Sequence, residues 1–335
     1  MDNIVFWQNL WFIILIFLFC SYAVLDGFDL GIGMLLPFFQ RDEQKIMMNS
    51  IWPFWDGNEV WGITAGTALF AVFPGVYALL LSSLYPVIMA LIAALIFRAA
   101  SFEFWWHVEN GRVFWGTVFT ISSFIIPLII GLAFGNIIYG IPLDRNGQFK
   151  GGFLSLINPC SVLLSFMGLS AVLMQGITYM ITRTTEKLKE KAVKIGNWIW
   201  IFALILFIIL AAASAWIRQQ SLSRIIFWIG IMMSIAALGI VKYLLIKDTY
   251  KGIFLAASVF FIGVWITMGA LQYPNMVTIS GTMNHSLTVF NISSPILTLK
   301  IMTVLTLAGM TVVMAYSILV YRLFRGKIKP DEFYY

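Results

Sequence analysis

Trp55-Asp56-Gly57-Asn58-Glu59-Val60-Trp61, running into Gly62-Ile63-Thr64-Ala65-Gly66-Thr67-Ala68-Leu69-Phe70, sets two acids between tryptophans at the mouth of an apolar segment. With 3.6 residues per turn, a spacing of three means about 60° of rotation, so Asp56 and Glu59 share one side of a helix. A soluble protein scatters such acids over its surface without consequence. Here the surroundings are lipid-like: of 335 residues 61% are hydrophobic and 11% charged, with a mean hydropathy of +0.91. Soluble domains carry roughly 25% charged residues. The chain therefore reads as an all-α polytopic integral membrane protein, with a single membrane domain over residues 1–335.

The remaining composition agrees. Phe (29), Trp (13) and Met (16) are abundant, as suits lipid-facing and interfacial surfaces. The net charge of +6 reflects Lys and Arg in cytoplasmic loops and carries no nucleic-acid signal. Cys20 and Cys160 lie in or beside apolar segments without a C-x-x-C, so neither a disulfide framework nor a zinc site follows; both read as small buried hydrophobes. The first apolar run lacks a basic start and continues for some thirty residues, so it is expected to be a retained helix and not a cleaved leader.

A hydrocarbon core of about 30 Å needs roughly 20 apolar residues in a helix. Nine segments meet that test: 6–36, 57–81, 83–104, 113–139, 159–181, 198–217, 225–246, 253–273 and 296–324. The second and third are expected to be two full spans joined by a tight turn near Ser82. With the N-terminus outside, sixteen of the 21 Lys and Arg fall in cytoplasmic regions, four (Arg145, Lys150, Arg218, Arg224) fall outside, and Lys300 lies in the last span. The positive-inside rule then puts the N-terminus outside and the C-terminus in the cytoplasm.

Asp26-Gly27-Phe28-Asp29 lies in the first segment, with Asp26 roughly 28 Å along the helix from Trp7. The second segment runs the other way and the third ends at Arg98. Asp26, Asp29, Asp56, Glu59 and Arg98 are thus expected at one depth near the cytoplasmic side, with Glu103 just beyond. Two readings are open. The acids sit solvated in the headgroup region or paired with Arg98, or they face the protein interior. The G-x-x-x-G pairs Gly27/Gly31, Gly62/Gly66 and Gly131/Gly135 favour the second, because such spacing lets helix backbones approach closely.

The gap 182–196, with five basic residues and Glu186 and Glu190, reads as a solvated cytoplasmic connector. The gap 274–295 is polar and is expected to fold against the helix ends outside. Haem held between helices needs His, Cys, Met or Tyr ligands at bundle depth. The two histidines, His107 and His285, fall on opposite sides of the membrane, so no haem is expected in this chain. Neither a phosphate-binding loop nor a nucleophile elbow occurs. His285 reads as a loop hydrogen-bonder. What remains is proton handling, since carboxyl groups in dry surroundings exchange protons near neutral pH. Asp26, Asp29, Asp56 and Glu59 can relay protons from the cytoplasm, with Arg98 holding at least one acid ionised. Trp55 and Trp61 either shield that path or anchor the interface.

Asp26 through Leu35 (DGFDLGIGML) and Asn49 through Trp61 (NSIWPFWDGNEVW) closely resemble subunit II of cytochrome bd-type quinol oxidases. Shorter matches follow in the same order: Phe134-Gly135-Asn136 with Gly140-Ile141-Pro142, Leu156-Ile157-Asn158-Pro159, and Thr282-Met283-Asn284. The resemblance implies nine helices in two four-helix bundles plus one extra helix. It also implies a partner subunit I holding two b-type haems, one d-type haem and the quinol site, often with a small single-span subunit. Such a complex, in the cell membrane of a bacterium or archaeon, oxidises quinol, reduces oxygen to water and draws protons from the cytoplasm. By the same resemblance Asp26, Asp29, Asp56 and Arg98 match proton-path positions, and Glu103 falls where relatives carry an acid. Asn58 and Glu59 belong to the same motif, with Trp55, Gly57 and Trp61 supporting it. A proton-coupled secondary transporter is the rival reading. It requires an internal repeat and helices unwound at mid-membrane, and no repeat is evident. A purely structural scaffold is the third: it predicts that Asp29→Asn and Asp56→Asn change nothing.

Overall fold

The computed structural model describes residues 3–144, 149–184, 186–217, 224–281, 286–324 and 326–327. Helices account for most of them: α1 (Ile4–Leu35), α2 (Arg41–Ile51), α3 (Trp55–Val72), α4 (Pro74–Ser83), α5 (Tyr85–His107), α6 (Arg112–Tyr139), α7 (Pro159–Arg183), α8 (Glu186–Ile217), α9 (Ile225–Ile246), α10 (Ile253–Gln272) and α11 (Ile296–Leu323). Among the described residues eight helices are long and apolar enough to cross a membrane, and α3 with α4 forms a ninth candidate bent by 114°. The burial pattern is inverted relative to a soluble protein. Large apolar side chains such as Trp198 and Val312 are exposed, while Asp26, Asn49, Arg98 and Gln175 are enclosed.

The second span is not the continuous helix expected over 57–81. It breaks at Phe73–Pro74, where proline supplies no N–H and starts α4 at its first position. The break lies 18 residues into the span, counting from the start of α3, about 27 Å along the axis and so towards the end of α3 remote from Trp55. Ser294 closes the cut, donating from its backbone N–H to Val72 O and from its hydroxyl to Ala71 O, each at 2.8 Å. Both Glu59–Val72 and Tyr85–Arg98 span about 20 Å at 1.5 Å per residue, so α4 runs across the far ends of α3 and α5. The turn into α5 falls at Leu84, close to its expected place.

One further helix and one further correction lie at the α2 end. The stretch between the first two spans contains α2, an 11-residue polar-and-apolar helix too short to register as a span; the Glu43 carboxylate accepts the Gln40 backbone N–H at 2.7 Å and closes its first turn. The 182–196 connector is helical from Glu186 onward and continuous with the sixth span. Its Leu188 and Ala192 are buried, and Lys191 pairs with Glu43 at 3.1 Å. It is therefore packed on one face, with α7 as the main neighbour of α8 and α2 reached through the Lys191–Glu43 pair, and solvated only on the other.

Helices α7, α8, α9 and α10 pack each against the next, and α10 returns to α7; α1, α3, α4, α5 and α6 follow one another in the same way, with α6 returning to α1. α7 joins the two groups and is the most enclosed helix, whereas α11 leans on α3 and α1 and is the least enclosed. The joins are tight where glycine permits. A Cβ at Gly135 would stand 2.1 Å from Ser161 Cα, and one at Gly131 2.4 Å from Ser165 Cα. At the same α6–α7 junction Asn158 donates to Asn136 Oδ1 at 2.9 Å, and Asn136 donates to Leu156 O at 2.8 Å. Two of the short motifs thus meet in space.

At the far end the all-α class is relieved by four short strands. β1 (Ile141–Leu143) pairs in parallel with β3 (Ile279–Gly281), and β2 (Asn275–Val277) pairs antiparallel with β4 (Leu287–Thr288). They join the two polar loops over the helix ends. Gln8 ties the start of α1 to this layer through Ser293 Oγ at 2.8 Å. His285 and the Thr282-Met283-Asn284 motif lie outside the described residues.

Candidate functional site

From Asp26 to Leu35 every residue of α1 is buried. A helix enclosed on all sides runs through the protein interior, so Asp26 and Asp29 face protein whichever way they turn. Both are fully buried. Gly31 makes this possible: a Cβ there would lie 2.3 Å from Val172 O and 2.7 Å from Gly176 Cα, so α1 and α7 touch backbone to backbone.

Arg98 reaches the cluster from α5. It grips Asp26 with two parallel hydrogen bonds, Nη1 to Oδ2 at 2.9 Å and Nη2 to Oδ1 at 2.6 Å. This fork-on-fork geometry is the strongest form of the pair. Nη1 also stands 3.1 Å from Glu59 Oε1 on α3, whose side chain is 20% exposed against 1% for Arg98. The Glu59 contact is an ion pair without hydrogen-bond alignment, since Oε1 makes no hydrogen bond. Three helices therefore converge on one guanidinium.

Asn58, beside Glu59 on α3, serves the second acid. Its amide nitrogen donates to Asp29 Oδ2 at 2.7 Å and to Leu25 O at 3.1 Å. Asp29 Oδ1 is buried without a protein partner among the described residues, as is Arg98 Nε. Two tyrosines, neither singled out in the sequence, complete the surroundings. Tyr22 lies one turn before Asp26 on α1 and beside it, and its ring lies where a Cβ on Gly62 would come within 2.9 Å. Tyr321, on α11, donates to Asn58 Oδ1 at 3.2 Å.

The remaining expected members divide. Asp56 is exposed at the start of α3 and Glu103 is half-buried on α5; neither joins the hydrogen bonds or ion pairs around Arg98. Glu103 is five residues past Arg98, about 140° round the helix, and so points to another face. Trp61 is buried edge-on to Phe17 with ring centroids 6.0 Å apart. Trp55 is half-buried against Phe102 at 5.2 Å. Gly57 lies under Tyr316 of α11, 3.1 Å from where its Cβ would be. These motif residues pack α3 against its neighbours. His107 ends α5, exposed, its Nδ1 within 2.8 Å of Glu103 O.

Residues 7–324 match the sequence profile of the family Cytochrome bd terminal oxidase subunit II. The chain belongs to that family. It is accordingly a subunit of a terminal oxidase, an oxidoreductase complex. Cytochrome bd-I ubiquinol oxidase subunit 2 of Escherichia coli K12 is 30% identical, with 96% of this chain and 95% of that protein aligned. Cytochrome bd ubiquinol oxidase subunit 2 of Bacillus subtilis is 29% identical, with 97% and 98% aligned. A chain in the structure of bd oxidase from Geobacillus thermodenitrificans has the same fold, with a TM-score of 0.80 at 15% identity over 95% of this chain and 98% of that one. Subunit II chains of this family thus set the frame for the buried cluster.

Proposed function

We propose that this subunit is haem-free and carries protons from the cytoplasm towards a haem-bearing subunit I that oxidises quinol and reduces oxygen to water. The observation that supports it most is a single guanidinium paired with the buried Asp26 and the partly exposed Glu59, with Asp29 buried close by on the Asn58 amide. One fixed positive charge is set among three carboxyl groups. Buried charges without partners are costly, so the surplus acids must share protons to stay enclosed. Arg98 cannot give up its proton; its part is to hold Asp26 as the ionised anchor. That leaves Glu59, the partly exposed acid, as the group that takes a proton from water, and Asp29 as the inner acid that receives it. Asp56, exposed one turn before Glu59, collects protons at the mouth. Glu103 stands at the same end of α5 and adds negative charge there.

The haem-free reading rests on donor chemistry. Of the two histidines, His107 lies exposed at a helix end, and thioether ligands would have to come from Met residues that pack the core. The proposed haems, two b-type and one d-type, belong to subunit I, and quinol binds there; a small single-span subunit completes the complex. The contact order of the helices supports two four-helix bundles with α11 as the extra helix. The positive-inside count supports an outside N-terminus and a cytoplasmic C-terminus in a bacterial or archaeal cell membrane.

Affinity purification of the tagged chain from its native membrane tests the reading. A haem-bearing partner with d-type absorbance and quinol-dependent oxygen uptake should accompany it. In that complex Asp29→Asn should lower turnover about 10²-fold, the low end of what a positioned proton-transfer group supplies, with the haem spectrum unchanged. Isolation as a lone polypeptide that transports a solute, or full turnover in Asp29→Asn, sinks the proposal.

A further inference from the structure

We infer that Tyr321, on the last helix, is a positioning residue for Asp29, acting through the Asn58 amide. The inference rests on the proton-path reading above and adds a member that neither the sequence motifs nor the acid cluster supplies. An asparagine amide has two nearly equivalent orientations, and its hydrogen bonds decide between them. Here Leu25 O settles the choice, because a carbonyl only accepts: Asn58 Nδ2 must face α1, donating at 3.1 Å to Leu25 O and at 2.7 Å to Asp29 Oδ2. Both amide hydrogens are then committed to α1. Asn58 Oδ1 is left facing α11 as a bare acceptor, and the Tyr321 hydroxyl meets it at 3.2 Å. The phenol holds the amide, the amide holds one oxygen of Asp29, and a proton on Asp29 is confined to Oδ1.

The position of that hydroxyl is itself fixed. The Tyr321 ring stacks on Phe54 with centroids 4.5 Å apart. Three residues further on, Arg183 donates to Phe324 O at 2.5 Å and to Gly326 O at 2.6 Å, with its guanidinium over the Phe54 ring at 5.7 Å. The least enclosed helix is thus latched to α7 immediately beyond the residue that reaches the acids. A phenylalanine at 321 would stack on Phe54 equally well. Packing alone does not call for the hydroxyl; the Asn58 oxygen does.

The test uses the whole oxidase complex in four forms: Tyr321→Phe, Asn58→Ala, the double variant, and Asp29→Asn as reference. Two quantities are read: the infrared carboxyl band that Asp29→Asn removes, and the rate of proton uptake in a single turnover. Tyr321→Phe should shift the band and slow uptake about five-fold, the equivalent of one buried hydrogen bond at about 1 kcal/mol. The double variant should match Asn58→Ala alone, because both changes break the same chain of bonds. An unmoved band and unchanged uptake in either single variant, while Asp29→Asn still loses both, overturns the role of Tyr321 and leaves the proton path standing. So does strict multiplication of the two effects. Unchanged uptake in Asp29→Asn overturns the proton path itself, and this inference with it.

Discussion

Replacing Arg98 by Met is expected to remove the assembled oxidase from the membrane, and replacing Asp26 by Asn in the same chain is expected to restore it. Arg98 and Asp26 are 1% and 0% exposed, joined by two charge-assisted bonds. Methionine fills the space of the arginine stem but leaves Asp26 as an enclosed anion facing Glu59. Removing one partner of a buried ion pair costs about 3–5 kcal/mol, against a total stability of about 5–15 kcal/mol. Removing both is often neutral, because the desolvation cost disappears with the attraction. Asparagine at 26 keeps the shape of the side chain and carries no charge. Glu59 keeps its partial exposure. The double variant should therefore accumulate and show a near-normal melting temperature, yet remain slow in proton uptake for want of the anchor. Immunoblots, haem absorbance and thermal melting of the detergent-purified complex read this directly. Normal accumulation of Arg98→Met alone would mean that Asp26 is hydrated, and the idea of a dry enclosure would be lost.

The contrast between what the sequence disclosed and what it hid follows from physical range. Asp26 and Asp29 were legible because an acid inside an apolar run demands a partner, and residue counting along the third span brought Arg98 to their depth. The two readings left open for these acids divide among them: Asp26 is both paired with Arg98 and enclosed, Asp29 is enclosed on the Asn58 amide, Glu59 is paired but partly exposed, and Asp56 is exposed. The spans were legible because hydrocarbon thickness sets a length that composition reveals. Local pattern failed where geometry depends on direction round a helix or on distant contacts. Asp56 and Glu59 share a helical side, but at a helix start that side passes from solvent to protein within one turn, so only Glu59 reaches Arg98. Tyr321 is 263 residues from Asn58, and a tyrosine near the end of the last span looks like an ordinary interfacial residue. α2 and the first turns of α8 escaped for another reason: a search for 20-residue apolar runs cannot register a short or charge-bearing amphipathic helix.

Gly31→Ala is expected to prevent assembly, whereas Gly27→Ala and Gly66→Ala are expected to leave it intact, although the three glycines look alike in the sequence. The added methyl at 31 would stand 2.3 Å from Val172 O and 2.7 Å from Gly176 N and Cα. These are backbone atoms in the most enclosed helix, so no rotamer change relieves the contact; α1 and α7 must separate by an ångström or more. Overpacking of a rigid core costs about 1–3 kcal/mol and sometimes more, and a backbone-to-backbone clash belongs at the upper end. The displacement also acts on the site, because Asp29 lies half a turn from Gly31 and would be drawn off the Asn58 amide. At Gly27 the nearest atoms are side-chain carbons of Phe261, Gln175 and Val172 at 3.6–3.9 Å, ordinary contact, and at Gly66 nothing lies within 4 Å. A G-x-x-x-G spacing therefore does not say which glycine is needed: Gly27/Gly31 and Gly62/Gly66 each hold one at most, whereas both Gly131 and Gly135 meet the α7 backbone, and the difference is set by which atoms lie opposite. Gly176→Ala offers the reciprocal check, since its methyl would fall 2.5 Å from Gly31 C. Equal yields and melting temperatures for the Gly27 and Gly31 variants would show that α1 and α7 are held apart by more than this structure allows, and would remove the reason for the two aspartates to sit in a dry interior.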